Sequence, residues 1–224
     1  YADETGWRMD GQNWWLWAFV NERGIQYLLE DTRGKGIAEQ ALGDKTDRVI
    51  ISDGYAAYKN LPGDKQQCWV HLLRSAKIHS PPLYCKLAIL YHQLLRELEK
   101  PPNERNKQYF RDRLDTLAEK KDQNLGNLKV QARITRDQDA LLTCVDYEDV
   151  LPENNTAERA IRPQVVMRKI FGGSRSIDVA RAHAVNTSVI ETMKKQNPDK
   201  TFFEIMLPLL EKRIKERHDS HSEL

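Results

Sequence analysis

The feature that most constrains the fold is a run of aromatic and apolar residues near the start of the chain. Residues 13–20 read NWWLWAFV, with the turn signals Asp10-Gly11 before them and Glu22-Arg23-Gly24 after them. Such a run, apolar on both faces and bounded by turns, is typical of a central strand. Because residues 1–8 alternate weakly and residues 25–30 repeat a strand pattern, the sequence predicts three successive strands joined by short turns.

Short helices and strands alternate after these three strands. The predicted elements are a helix over 36–42, a strand over 48–52, a helix over 55–60, a strand over 66–69 and a helix over 71–78. The strand over 48–52 reads RVIIS and is of the buried, parallel type. Strands that alternate with helices in this way predict an α/β fold with a mixed sheet.

Beyond Pro81-Pro82 the pattern becomes helical. Leucines recur three or four residues apart from Leu83 to Leu98, and the pattern resumes at Phe110 after a break at Pro101-Pro102. The leucine run falls short of three to four heptads, so a packed helical hairpin is favoured over a dimerising coiled coil. We therefore predict a first part of the core over residues 1–80, an all-helical insertion over 81–150 and a last part of the core over 151–224.

Composition argues against a membrane or secreted protein. No apolar stretch in the 224 residues approaches the roughly 20 residues that a spanning helix needs. Three cysteines at irregular spacing are an odd number and argue for a reducing compartment without disulfides. We expect an intracellular, cytoplasmic protein.

The segment ENNTAERAIRP over residues 153–163 combines a carboxylate with amides and guanidinium groups. On a helix, Asn155, Glu158 and Arg162 share one face with Asn154. That face can hold a metal ion through Glu158, while Arg159 and Arg162 meet an anion such as phosphate. Two simpler alternatives stay open: Asn155 caps the helix with Glu158 at the third position, or Glu158 pairs with Arg162.

Two further acids, Asp3 and Asp53, favour the interpretation of Glu158 as a metal ligand. Asp3 lies in the first predicted strand, and Asp53 follows a hydrophobic strand at its carboxyl end, where α/β sheets usually bind ligands. Carboxylates from a first strand, a fourth strand and a late helix are the set that the ribonuclease-H-like fold brings together to hold two divalent ions. Oxygen ligands favour Mg²⁺ or Mn²⁺ over zinc. The alternatives are a solvent-exposed acid at Asp3 and a turn-forming Asp53-Gly54 pair.

Five blocks of the sequence resemble the insertion-sequence-66 family of DDE transposases. In order, they are ADETGWR over residues 2–8, SDGYAAY over 52–58, CWVHLLR over 68–74, NNTAERAIRP over 154–163, and Arg168-Lys169 before Gly173-Ser174. The resemblance implies a ribonuclease-H-like mixed sheet flanked by helices, with the helical insertion before the last acid. It also implies that Asp3, Asp53 and Glu158 are the catalytic acids and hold two Mg²⁺ or Mn²⁺ ions.

The resemblance further implies a DNA substrate. Such transposases cut at element ends to release 3′-hydroxyls, which then attack target DNA; pairing two ends makes a homodimer the expected active form, at the nucleoid of a prokaryotic cell. The chain begins with Tyr1 rather than Met and lacks the regions that bind element ends in related full proteins, so we expect a longer native protein. A structure-selective nuclease or resolvase of the same fold and a catalytically idle DNA-binding module stay open as alternatives.

The pair Cys68 and His71 resembles a Cys/Asp-x-x-His motif that follows the second aspartate in several DDE transposases. As a functional residue, His71 contacts the scissile phosphate or orients a catalytic acid; as a structural pair, Cys68 is a small buried residue and His71 a satisfied polar one. A zinc site built from Cys68, His71, Cys85 and His92 fits no common ligand spacing. The sequence therefore favours the absence of a zinc site.

Aromatic and basic residues complete the predicted DNA contacts. Most tryptophans of the first strands are expected in the core, namely Trp14, Trp15 and Trp17, whereas Trp69 is a candidate for stacking on DNA. Basic residues cluster after the third acid: residues 154–200 hold nine Lys or Arg against four acidic residues, although the net charge of the whole chain is only +2. The backbone contacts predicted here are Arg168, Lys169 and Arg175, with a solvated loop as the alternative.

Overall fold

The computed structural model describes residues 1–119 and 124–221. Residues 120–123 of the predicted helical insertion and residues 222–224 of the last predicted region lie outside the described residues. The strands are β1 Ala2–Met9, β2 Gln12–Val20, β3 Ile25–Glu30, β4 Val49–Ser52 and β5 Asp64–Gln67. The helices are α1 Lys35–Leu42, α2 Trp69–His79, α3 Pro81–Glu97, α4 Lys107–Ala118, α5 Leu125–Leu141, α6 Asn155–Phe171, α7 Ile177–Gln196 and α8 Phe202–His221.

The chain divides into two compact units. The first unit comprises residues 1–3 and 32–159, and the second comprises residues 4–31 and 160–224. The fold is thus mixed α/β, with small sheets and several helices. The predicted domain boundaries, with an insertion over residues 81–150 between two parts of a core, stay a prediction.

The second unit is built on a three-stranded sheet of order β1-β2-β3. Strand β2 pairs antiparallel with β3, from Trp15 opposite Glu30 to Val20 opposite Ile25. Trp14 and Trp17 are buried as predicted, while Trp15 is half-buried. The core of this unit joins one face of the sheet to helices α6 and α7. Its buried members include Trp7, Trp14, Leu16, Tyr27, Leu29, Ile161, Ala180 and Ala184.

Side chains of helix α7 accept hydrogen bonds from backbone N–H groups of β3, the strand at the edge of this sheet. Ser188 Oγ accepts a hydrogen bond from the backbone N–H of Tyr27 at 2.8 Å, and Thr192 Oγ1 accepts one from Ile25 at 2.9 Å. The two hydroxyls are four residues apart and therefore lie on one face of the helix. An unpaired strand edge would otherwise offer its backbone groups to another chain, so α7 protects the edge while packing on it.

The first unit combines a parallel pair of strands with a helical core. Strand β4 runs parallel to β5, from Val49 opposite Asp64 to Ser52 opposite Gln67. The core lies among helices α2, α3, α4 and α5. Its most buried members include Trp69, Leu72, Leu87, Leu94, Phe110, Leu114, Ile134 and Leu141. Residues 81–118 and 125–141 contribute only helices and a short 3₁₀ turn, in keeping with the helical pattern of the sequence.

Two local predictions are corrected by the structure. The helix expected over residues 55–60 is a single 3₁₀ turn, Ala56–Tyr58, and the strand expected over 66–69 is β5, which ends at Gln67. Strand β5 pairs with a strand of only four residues, and Cys68 then adopts the extended conformation of a helix cap. Trp69 consequently opens α2. In the part of the chain that the structure describes, no helix is long and apolar enough to cross a membrane.

Candidate active site

Asn154 fixes the start of the helix that carries Glu158. Its side chain is fully buried and its Nδ2 donates to the carbonyl of Ala2 at 2.9 Å. Its backbone N–H donates to Cys68 Sγ at 3.2 Å, and its carbonyl accepts the N–H of Glu158 at 3.1 Å. One buried amide thereby ties the residue before Asp3 and the residue that caps α2 to the first turn of α6.

The Glu158 carboxylate is directed at helix α2. Its Oε1 lies 3.6 Å from His71 Nδ1, and its Oε2 lies 3.5 Å from Arg74 Nη2. His71 and Arg74 are three residues apart, so α2 presents both on one face. Asn155 is the first residue of α6, and Glu158 lies in the first turn, where its N–H donates to the Asn154 carbonyl.

Two buried atoms at this contact have no hydrogen-bond partner among residues 1–119 and 124–221. They are His71 Nδ1 and Glu158 Oε1. Their separation of 3.6 Å is too long for a hydrogen bond. Since buried polar atoms are almost always satisfied in folded proteins, two orphan atoms facing each other indicate a site that binds something further.

Asp53 follows β4 and forms a tight turn. Its Oδ1 accepts the backbone N–H of Tyr55 at 2.8 Å. Gly54 has φ +90°, and a Cβ there would stand 2.8 Å from Gln67 Oε1, so only glycine fits. The turn-forming role of the Asp-Gly pair is real, and it orients Asp53 at the carboxyl end of the strand.

Arg133 from helix α5 holds the backbone on both sides of the site. Its Nη2 donates to the Asp53 carbonyl at 3.2 Å, and its Nη1 donates to the His71 carbonyl at 3.3 Å. Asp137, one turn later, lies 3.9 Å from its Nε. This role could not be predicted from the sequence, because Arg133 is one of many charged residues in a helical region. Arg74 was detectable in principle, since it stands one helical turn after His71.

Burial and nearby charge set the protonation of the site. Burial lowers the pKa of His71 below its usual 6.5, with Glu158 and Asp53 acting to raise it and Arg74 and Arg133 acting to lower it. The imidazole is therefore neutral at pH 7. Burial raises the pKa of the Cys68 thiol, while the backbone N–H of Asn154 acts in the opposite direction.

Possible metal ligands gather at one point. Among the described residues, one group of three or more His, Cys, Asp or Glu side chains has its ligand atoms within 4.8 Å of one another, and it consists of Cys68, His71 and Glu158. Asp3 and Asp53 are outside that group. Both are half-buried, as is Glu158.

Other residues singled out from the sequence lie in different environments. Trp69 is fully buried, and its Nε1 donates to the Leu141 carbonyl at 2.7 Å. Its ring is therefore not accessible for stacking on a DNA base. Cys85 and His92 are exposed on α3. Arg159 is exposed on α6 in the first unit. In the second unit, the exposed basic side chains are Arg162, Lys169 and Arg175.

Arg168 differs from the other basic residues because its side chain is already engaged. Its Nη1 donates to the Gly6 carbonyl and to Thr5 Oγ1, the latter at 3.3 Å. The side chain is half-buried. Arg168 therefore bridges α6 and β1 within the second unit.

Comparison with known proteins gives a family and one distant relative. A family model described as "Transposase IS66 family" matches residues 1–182. "Uncharacterized protein y4jO" of Sinorhizobium fredii (strain NBRC 101917 / NGR234) is 25% identical over 158 residues, which are 66% of this chain and 49% of that protein. The chain thus spans about half the length of this curated relative. No solved structure matches.

Proposed function

The chain belongs to the IS66 transposase family, whose model matches residues 1–182, and on this premise we propose that it is the catalytic core of a DDE transposase. Its reaction is metal-dependent cleavage of DNA at element ends, followed by strand transfer into target DNA. The observation that supports this most is the Glu158 carboxylate, which has a buried orphan oxygen beside His71 and Arg74. Perturbed or unsatisfied ionisable groups of this kind cluster at functional sites.

The order of the elements supports a ribonuclease-H-like fold for this core. Asp3 lies on β1, Asp53 directly follows β4, and Glu158 lies in the first turn of α6 after the helical region. This is the first strand, fourth strand and late helix that such a fold uses. In the described residues β4 pairs in parallel with β5 in a sheet separate from that of β1, β2 and β3, so the single mixed sheet stays a proposal.

The chemistry of carboxylate donors supports a hard divalent ion at the three acids, whose ligand atoms do not form a group within 4.8 Å among the described residues. Carboxylate oxygens are the ligands that Mg²⁺ and Mn²⁺ prefer, and Glu158 Oε1 has no other partner in the described chain. Two such ions, when bound by Asp3, Asp53 and Glu158, supply an activated water or 3′-hydroxyl and stabilise the leaving oxygen. Arg133 keeps the Asp53 and His71 backbones in place for this arrangement.

The remaining side chains orient DNA. The neutral His71 imidazole can direct the Glu158 carboxylate or donate to a phosphate oxygen. Exposed guanidinium and ammonium groups bind the DNA backbone without reading its sequence; they are Arg159, Arg162, Lys169 and Arg175. Trp69 is omitted because it is buried, and Arg168 because it is engaged within the second unit. We expect a homodimer on two DNA ends, in the cytoplasm at the nucleoid.

The test compares acid variants of the full-length protein on labelled DNA that carries the ends of its element, with Mg²⁺. We expect Asp3→Asn, Asp53→Asn and Glu158→Gln each to lower cleavage on the order of 10³-fold or more while DNA binding survives. The matched control is Glu153→Gln, because Glu153 precedes α6 and accepts from the Tyr91 hydroxyl at 3.3 Å. Full cleavage by Glu158→Gln, with loss in Glu153→Gln, would reassign the third acid.

A strand-transfer assay separates the transposase from a nuclease of the same fold. Pre-cleaved element ends with free 3′-hydroxyls are incubated with a supercoiled target plasmid and Mg²⁺. A transposase joins the ends to the plasmid. Cutting of branched DNA without any joining would instead favour the structure-selective nuclease or resolvase.

A further inference from the structure

The cluster of Cys68, His71 and Glu158 is not explained by the two-ion chemistry of the acids. Two of its three donors, a thiol and an imidazole, are softer than the oxygen ligands that Mg²⁺ selects. We propose that Cys68 Sγ, His71 Nδ1 and Glu158 Oε1 form a site for one thiophilic divalent ion of the Zn²⁺ class. This site shares Glu158 with the proposed two-ion site, so a bound Zn²⁺ would compete with Mg²⁺ for that carboxylate.

The geometry fits such an ion closely. A zinc ion about 2.0–2.1 Å from a nitrogen and an oxygen in tetrahedral geometry separates those atoms by about 3.3 Å. His71 Nδ1 and Glu158 Oε1 are 3.6 Å apart, and all three ligand atoms lie within 4.8 Å of one another. The ideal separation of the sulfur from either of the other two atoms is about 3.6 Å, so a closure of at most about 1.2 Å would bring the set to ideal distances. Three protein ligands leave a fourth position for water.

The surroundings orient all three ligands. The Asn154 N–H donates to Cys68 Sγ at 3.2 Å, Arg133 Nη1 donates to the His71 carbonyl at 3.3 Å, and Arg74 approaches the other Glu158 oxygen at 3.5 Å. Supports of this kind fix ligand direction in metal sites. A bound ion would also satisfy both orphan atoms, whose burial without a partner is costly.

Binding consumes no redox partner. The Cys68 S–H bond breaks, its proton passes to buffer, and a sulfur–zinc bond forms, while His71 binds through the lone pair of its neutral ring. Zinc binding should therefore release one proton and strengthen as pH rises. Bound metal is measured without DNA, so a failure of zinc binding and a failure of the proposed DNA cleavage are distinguishable.

The experiment uses Co²⁺ as a spectroscopic probe and Zn²⁺ as the competitor. The metal-free protein is titrated with Co²⁺, and the thiolate-to-cobalt charge-transfer absorption is recorded; Zn²⁺ affinity is then measured against a chromophoric chelator. We expect one Co²⁺ per chain, with an absorption that one equivalent of Zn²⁺ removes. Cys68→Ser should abolish the absorption, and His71→Ala should weaken Zn²⁺ binding at least tenfold, since even loss of a supporting partner costs about that much.

The matched control is the double variant Cys85→Ser/His92→Ala. Both residues are exposed on α3, and neither belongs to the proposed ligand set, so this variant should bind Co²⁺ and Zn²⁺ as the wild type does. Because Cys68 is fully buried, Cys68→Ser can unfold, and His71→Ala and Glu158→Gln, which keep the thiol, then decide. No thiolate absorption in the wild type, or unchanged Zn²⁺ affinity in His71→Ala, would overturn the proposal.

Discussion

Two histidines, one in each unit, are both half-buried but have different surroundings. Burial lowers the pKa of both His71 and His183. His183 Nε2 lies 2.8 Å from Gln164 Oε1, and its ring stacks on Trp7 with centroids 5.4 Å apart. His71 instead faces the charges of the candidate site, and its Nδ1 has no hydrogen-bond partner among the described residues. A lowered pKa alone thus marks burial, whereas an unsatisfied atom among charges marks a site.

Two arginines repeat the contrast. Arg168, in the second unit, donates to the Gly6 carbonyl and Thr5 Oγ1 and so joins a helix to a strand. Arg133, in the first unit, donates to the carbonyls of Asp53 and His71. Both guanidinium groups satisfy backbone oxygens, but only Arg133 holds residues of the candidate site. Hydrogen bonds from a guanidinium group to backbone carbonyls thus join two elements of the fold at Arg168, whereas at Arg133 they position residues of the candidate site.

The histidine contrast predicts the largest effect. We expect His71→Ala to lower DNA cleavage about 10²-fold or more, because a positioned proton donor or acceptor beside Glu158 is lost. His183→Ala should keep the cleavage rate but lose about 1–2 kcal/mol of stability, because it gives up a hydrogen bond and an aromatic contact. Single-turnover cleavage and urea unfolding measure the two quantities. Equal loss of cleavage in both variants at equal folded fraction would erase the distinction.

The arginine contrast predicts a smaller change. Arg133→Met should slow cleavage about 10- to 100-fold, since a misplacement of about 1 Å at a reacting group costs that much. Arg168→Met should leave the cleavage rate intact and lower stability by about 1 kcal/mol. The measurement is the cleavage rate at saturating DNA together with the unfolding free energy.

The same pair of variants also tests the sequence-based role of Arg168. If Arg168 binds a DNA phosphate, Arg168→Met weakens binding to all DNA sequences. It also reduces the slope of the logarithm of the binding constant against the logarithm of the salt concentration by about 1. The structural role predicts no such change in the salt dependence. Binding isotherms at several salt concentrations therefore decide which role Arg168 has.

The contrast between units also explains what the sequence could predict. Regular patterns were sufficient for the sheet of the second unit: the NWWLWAFV run predicted β2 to within one residue, and the turns around it were found. Glu158 and His71 were singled out from their motifs, and the structure places them side by side, while their functional roles stay predictions. Trp69 could be a base-stacking residue or a core residue by its sequence, and only the packing of α2 on α3 and α5 shows that it is core.

What the sequence could not reveal depends on contacts between distant segments. Arg133 reaches the Asp53 and His71 carbonyls from 80 and 62 residues away along the chain, and no local pattern encodes that reach. The grouping of Cys68 with Glu158 is of the same kind. Cys85 and His92, which were considered as zinc ligands from the sequence, are exposed on α3, whereas His71 lies on α2.

The smallest predicted effect is the pH dependence of stability that His183 contributes. Its folded pKa lies below the usual 6.5 because burial disfavours the charged ring. The unfolded chain therefore takes up a proton first as pH falls through about 6.5, so the unfolding free energy decreases from there toward the folded pKa and is unaffected above that window. His183→Gln, which keeps a polar partner for Gln164, should flatten the slope between pH 7 and 5 in urea unfolding. His92→Gln, at an exposed position, is the control for replacing a histidine, and an identical slope in His183→Gln and the wild type would show that His183 is not held neutral by its burial.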